Sequence, residues 1–157
     1  MNGFRNWIAI LSFFSLLMLS GCGGGMAEVE SSPLSPITLN ARLSSANSLL
    51  PDGRYALIYR FIPTSSGVAK ISMSASSFRC RLSVQEKLNP TELPASSAPR
   101  LSTSSDSSGT ATVQIEVAAG KSYLVTASTE LPGAVGDFNL SYPSTFKLDG
   151  YEFQNYD

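Results

Sequence analysis

Two cysteines, Cys22 and Cys80, are the strongest potential nucleophiles in a chain of 157 residues that contains no histidine. Without histidine, Ser-His-Asp and Cys-His catalysis are excluded, and zinc loses its commonest ligand. Ser144-Thr145-Phe146-Lys147 has the Ser-x-x-Lys spacing, in which a lysine amine could take the serine proton. That motif works only with partner motifs, which are missing, and serine is so abundant here that the match reads as chance. Gly120-Lys121-Ser122 has the ending of a phosphate loop, but Ile115 stands where the earlier glycine is required, so it reads as a strand turn. Asp52, Asp106 and Asp137 fall in separate loops. Calcium wants six or more oxygens, so these read as solvated turn acids; no metal and no cofactor are expected. Of all these residues, Cys22 has the most specific surroundings.

Arg5 is the only charge in the first six residues, and Trp7 to Leu19 is apolar apart from Ser12 and Ser15. As a helix this run is about 20 Å long, too short for the roughly 30 Å of hydrocarbon that a spanning helix must cross. A positive start, a short apolar run and small residues after it describe a secretory signal over residues 1–21. Its end, Leu19-Ser20-Gly21-Cys22, resembles the lipobox of bacterial lipoproteins at every position. The resemblance implies cleavage between Gly21 and Cys22, diacylglycerol on the Cys22 thiol, and a fatty acid such as palmitate on the new amino terminus. Cys22 is then a lipid attachment point, against the blander reading of an ordinary signal with an incidental cysteine. Each buried methylene contributes about 0.8 kcal/mol, so two or more chains hold stably where one is marginal. Gly23-Gly24-Gly25 reads as a hinge. Gly23 occupies the position where an Asp signals inner-membrane retention in enteric-type lipoproteins, so the resemblance points to the cell outer membrane in an organism that has one.

The remainder is one domain's worth of chain with nearly balanced charge, 11 Lys and Arg against 12 Asp and Glu overall. Nothing in it is built to attract nucleic acid. A lone second cysteine, Cys80, leaves no internal disulfide framework. Residues 22–36 form the lipidated cysteine and a flexible tether ending in "MAEVESSPLSP". Alternation follows. Tyr55, Leu57, Tyr59 and Phe61 share one face of a strand. So do Ala69, Ile71, Met73 and Ala75; Phe78, Cys80, Leu82 and Val84; and Ala111, Val113, Ile115 and Val117. Tyr123, Val125 and Ala127, then Phe138, Leu140 and Tyr142, continue the series, and Ile37 to Leu43 is a first strand. A period of two in segment after segment marks strands covered on one face. Turn signals lie at 51–53, 64–67, 118–121 and 131–136.

The pattern predicts an all-β, antiparallel sandwich, jelly-roll or immunoglobulin-like, of seven or eight strands over residues 37–143, after the signal helix and linker. Residues 87–109, rich in proline and serine, are expected to form a mobile surface excursion. The aromatic and acidic tail 144–157 carries Tyr151, Phe153 and Tyr156. Such a tail docks somewhere, either as a further strand on its own sandwich or as a recognition peptide on a partner's sheet edge.

The strand order resembles the bacterial pre-peptidase C-terminal domain, a small β-sandwich appended to exported peptidases and other secreted proteins. Asp52-Gly53-Arg54-Tyr55 leads into Tyr59-Arg60-Phe61, followed by a turn at Gly67 and a strand led by Phe78. "AAGKSYLVTAS" and Gly136-Asp137-Phe138-Asn139-Leu140 complete the match. Where the family commonly has an aspartate after the phenylalanine, this chain has Arg79, so no role of that acid carries over.

The combined expectation is an exported, lipid-anchored, non-catalytic envelope protein. Its sandwich would serve binding or structural interaction with an envelope protein. Candidate contact residues are the exposed pair Arg79 and Arg81, with Tyr151, Phe153 and Tyr156 in the tail. Cys80, facing inward, is read as an inert buried thiol. A carbohydrate-binding or accessory module is the alternative, disfavoured because the sole Trp lies in the signal. A serine-dependent hydrolase would need Ser144 or a loop serine to meet Lys70, Lys121 or Lys147.

Overall fold

The computed structural model describes residues 35–87 and 100–152. The signal with its cleavage site at Gly21 and Cys22, the tether up to residue 34, and Phe153 and Tyr156 lie outside the described residues. No helix occurs among those described; ten strands do. They are β1 (Ile37–Leu43), β2 (Ser48–Leu49), β3 (Tyr55–Pro63), β4 (Gly67–Ser74), β5 (Cys80–Glu86), β6 (Arg100–Ser104), β7 (Thr110–Val117), β8 (Tyr123–Thr129), β9 (Gly136–Tyr142) and β10 (Phe146–Glu152). One sheet runs β1-β9-β4-β7. The other runs β10-β3-β8-β5-β6, with β2 also on β3. Every pairing is antiparallel.

The alternation sorts into faces as read. Tyr59, Phe61, Cys80, Leu82, Val84, Tyr123, Val125 and Ala127 face inward from the larger sheet. Ala69, Ile71, Met73, Ala111, Val113, Phe138, Leu140 and Tyr142 meet them from the smaller. With a pleat period of two, one apolar face per strand suffices to fill the space between two sheets. An aromatic group ties the sheets together. Phe61 lies 4.7 Å from Tyr142 and 5.8 Å from Phe146 between ring centroids.

Two elements depart from the sequence expectation, and ten strands stand where seven or eight were expected. Residues 100–104, taken as part of a mobile excursion, form β6 and pair with β5 from Arg81↔Ser104 to Gln85↔Arg100. An edge strand needs no apolar alternation, because its ladder of backbone hydrogen bonds holds it, and "RLSTS" therefore carries no hydrophobic signal. The remainder of that segment up to residue 99 lies outside the described residues. The tail reading resolves for 146–152 as a strand of its own sandwich, since β10 pairs with β3. Finally, β3 and β8 are buried on both faces. Ala56, Ile58 and Leu124 on the outer side of the larger sheet are as inaccessible as the core, and all seven residues of β8 are buried.

The two ends of the sandwich are distinct. β1 begins at Ile37 opposite Tyr142 and finishes at Leu43 opposite Gly136. The starting end therefore holds the turns after Pro63, Val117 and Tyr142. The far end holds loops 44–54, 75–79, 105–109 and 130–135. At about 3.4 Å per residue, the ends are some 20 Å apart.

Candidate functional site

The far end is built by short loops stapled to strands. Asp106 closes one of them. Its carboxylate accepts from the backbone N–H of Ser108 (2.8 Å) and Thr110 (3.2 Å) and from the Ser108 hydroxyl (2.5 Å). These bonds hold the Asp106 carboxyl below the usual aspartate range. Loop 75–79 packs onto the start of β9 at Gly136, whose φ of 148° lies in territory that favours glycine. A Cβ at 136 would overlap the Ser77 hydroxyl and come within 3.3 Å of the Phe78 ring. Between these loops lies an open cleft of about 400 Å³, lined by Ser74, Ala75, Ser76, Ser108, Asp137, Phe138 and Asn139. It is a polar-rimmed concavity with three hydroxyl side chains, one carboxylate and one aromatic side chain in its lining. It contains no lysine.

Each candidate residue can now be placed. Arg79 sits in the turn before β5, largely exposed, with its Nε 2.9 Å from Glu130 Oε2. The Glu130 N–H donates to the Arg79 carbonyl at 2.8 Å, so the pair clamps two far-end loops together. Arg81, half-buried on β5, pairs across to Ser128. Tyr151 lies elsewhere, on β10 opposite Tyr59, with 5.2 Å between their ring centroids. The structure brings Arg79 near the cleft loops and leaves Tyr151 on the inner side of the sandwich's edge.

The chemistry-bearing residues are dispersed in the same way. Asp52 binds Arg54, Asp106 binds its own loop, and Asp137 meets Arg42 at 3.2 Å. Among the described residues no group of three acids or cysteines could hold a metal ion. Ser144 is exposed at the β9–β10 turn and Lys147 is exposed on β10. Lys70 is exposed on the other sheet, and Lys121 pairs with Glu86 at 3.2 Å. The serine–lysine convergence that a hydrolase would need is not formed by these residues. Cys80 is fully buried among Leu82 and Val84, and burial pushes its thiol up to about 11, which keeps it protonated at neutral pH.

No protein-family model matches the chain, and no curated protein is similar to it. Solved structures that resemble it include two of low identity. PliG from Aeromonas hydrophila, a periplasmic lysozyme inhibitor of g-type lysozyme, shares 16% identity over 73% of this chain and 88% of that one, with a TM-score of 0.44. The naturally occurring empty particles of cowpea mosaic virus (top component) give 9% identity over 79% and 90%, with a TM-score of 0.38.

Two charged arrangements escaped the sequence reading. Arg54, in what reads as a plain "PDG" turn and strand start, is buried. It donates to both Asp52 and the Thr129 carbonyl (3.3 Å), and its Nη1 lies 3.5 Å from the Ser128 hydroxyl. Lys87 (side chain 7% exposed) and Glu152 (17%) form an ion pair that links the end of β5 to β10. Arg60 joins them, 2.8 Å from Asp149 and 3.8 Å from Glu152. The signal that could have found them is weak: Arg60 is a lone charge in an apolar run, whereas Arg54 and Lys87 each have an acid one or two positions away and read as ordinary turn charges. Only the pleat shows which side of the sheet each occupies.

Arg54 carries a pH prediction. Its hydrogen bond to Asp52, more than offsetting partial burial, lowers the Asp52 pKa below the ordinary aspartate value. A lowered folded-state pKa gives stability that is complete above the unfolded value, about 3.9, and disappears as pH falls through the folded value. Thermal melts between pH 7 and pH 2 should therefore show a loss below about pH 4 that Asp52→Asn flattens. Asp52 is half exposed, which keeps the effect modest. Identical acid profiles for both proteins would refute the coupling.

Proposed function

We propose that this chain is an exported envelope lipoprotein, acylated at Cys22, whose sandwich binds another envelope protein without catalysing a reaction. The tether joins the sandwich at Ile37, the start of β1, and the cleft with Arg79 lies at the opposite end. That separation is the observation that carries the reading: the concavity lies at the end of the sandwich away from the residue at which the anchored segment enters it. The three acyl chains of such an anchor, two on the glycerol and one on the amino terminus, make it durable. We assign the sandwich itself to the pre-peptidase C-terminal type on the strength of its strand order.

Partner contact is assigned to the cleft rim and Arg79. Polar, loop-built concavities of this kind suit transient protein recognition, in which a few buried side chains carry most of the affinity. Tyr151 is set back from this surface and is not part of it. Arg81 lies on the adjacent sheet face and could extend the basic edge.

The test has two arms. In the native host, Cys22→Ser is expected to move the protein from the membrane to the soluble fraction and to abolish incorporation of labelled palmitate. Retention in the membrane with an unlabelled chain would overturn the anchor. A photoreactive residue at Ser76 is expected to crosslink one envelope protein, and Arg79→Glu should reduce the yield about tenfold, equivalent to roughly 1.4 kcal/mol. Crosslinks unaffected by Arg79→Glu would overturn the assignment of the cleft.

A further inference from the structure

Sandwiches have edges, and their unpaired backbone groups invite another strand unless something blocks it. Two of the edges here are blocked, and a third closes its side of the core. β10 is broken by a bulge between Leu148 and Gly150 and carries Lys147, Asp149 and Glu152. β6 is only five residues long. β7 also pairs on one side only among the described residues, but it lies against β5 and β6 of the other sheet and its inward residues Ala111, Val113 and Val117 are buried, so no apolar surface is open beside it.

β1 has none of these protections. Its seven residues pair with β9 in unbroken register, and among the described residues its other edge pairs with nothing. It contains no proline and no inward charge, and its one charge, Arg42, is neutralised by Asp137. The core also stays open along it. Ile37 is 41% exposed, Leu39 and Ala41 are only half-buried, and across the seam Tyr151 is 52% exposed. Behind Tyr151, the Tyr59 hydroxyl is buried without a hydrogen-bond partner.

The sequence of the strand, Ile-Thr-Leu-Asn-Ala-Arg-Leu, is symmetric in pattern about Asn40. Laid antiparallel on a second copy of itself with Asn40 opposite Asn40, it matches at every position. Leu39 faces Ala41, a large residue against a small one. Ile37 faces Leu43, so the apolar sides coincide. Thr38 faces Arg42, so no two like charges oppose and each guanidinium meets a hydroxyl. A one-residue slip would turn apolar side chains against polar ones. We propose that β1 is a homodimerisation edge, joining two copies through a two-fold axis at Asn40 into one continuous eight-stranded sheet. Such an interface is isologous and closes on itself, so it ends at the dimer. The added strand also covers Leu39, Ala41 and Tyr151. The two-fold axis sets the copies antiparallel, so Ile37 of each lies beside Leu43 of the other and the two clefts fall at opposite ends of the dimer.

The experiment is disulfide trapping in the full-length protein, purified in detergent. Directly opposite residues in an antiparallel pair have Cα atoms about 4.5–5.5 Å apart, within disulfide reach, whereas residues two positions off the axis are roughly 13 Å from their own copies. Asn40→Cys should therefore give a disulfide-linked dimer under mild oxidation, on the order of tenfold above Thr38→Cys. The parent chain supplies the baseline for Cys22 and Cys80. Adding Leu39→Lys should abolish the Asn40→Cys crosslink while the thermal transition persists. Position 40 crosslinking no better than the parent or Thr38→Cys would overturn the proposal. So would a crosslink from position 40 to a different protein, or one that survives Leu39→Lys in a folded chain.

Discussion

Replacing Phe61 with alanine is expected to destabilise the sandwich by about 3–5 kcal/mol, the usual range for deleting a buried aromatic ring. Phe61 is fully buried and touches an aromatic residue from each sheet: Tyr142 at 4.7 Å from β9, Phe146 at 5.8 Å from β10. Few neighbours can move in to refill the space, because β3 is fixed between β10 and β8. In a domain of this size the loss corresponds to a melting temperature lower by about 10–20 °C. The neighbouring Tyr59 predicts the opposite sign. Its hydroxyl is buried and unpartnered, so Tyr59→Phe removes a desolvated group without breaking a hydrogen bond. That variant should melt within about 2 °C of the parent or above it. Calorimetry on the two proteins decides the matter, and a Phe61→Ala loss below about 1 kcal/mol would show that the aromatic group does not join the sheets.

The second large effect is at Gly136. Valine there is expected to cost about 2–5 kcal/mol, combining backbone strain at a positive φ with overpacking against Phe78 and Ser77. Ser77→Ala should recover only part of the loss, since it removes the overlapping hydroxyl and leaves both the φ of 148° and the ring. Denaturant unfolding of Gly136→Val, alone and with Ser77→Ala, measures both terms. Full rescue would show that the backbone at 136 is unstrained. No loss at all would mean that loop 75–79 does not seat on β9. In either folded variant the cleft should be altered, because Asp137 and Phe138 follow directly in the chain.

The parts of this architecture that sequence reading captures are those whose physics is local. Alternation in "TATVQIEV" or "FRCRLSV" follows directly from the pleat, and it identified the inward faces of β5 and β7. It also set Cys80 inside. Pairing is not local, so nothing in β6 announced that it would hydrogen-bond to β5, and its serines read as a loop. Burial on the outer side of β3 was hidden for the same reason. Ala56 and Ile58 alternate with Leu57 and Tyr59 in a run apolar on both sides, which suits a central strand as well as a half-covered one. The candidate site was legible only in part. Arg79 was singled out as a free charge, whereas a partner 51 positions along, Glu130, holds it. The cleft itself draws on two separate loops, the end of β4 and the start of β9, and no stretch of sequence contains it.

The pairing of Ile37 with Tyr142 has a temporal meaning. The first strand to emerge from synthesis finds its neighbour only when the ninth has been made. The tenth, which completes the aromatic cluster, follows later still. Contacts this remote along the chain make for slow assembly. A polypeptide organised this way can pair β3 to β8 and β4 to β7 early, but it closes neither its smaller sheet nor its aromatic cluster until its last strands have been made.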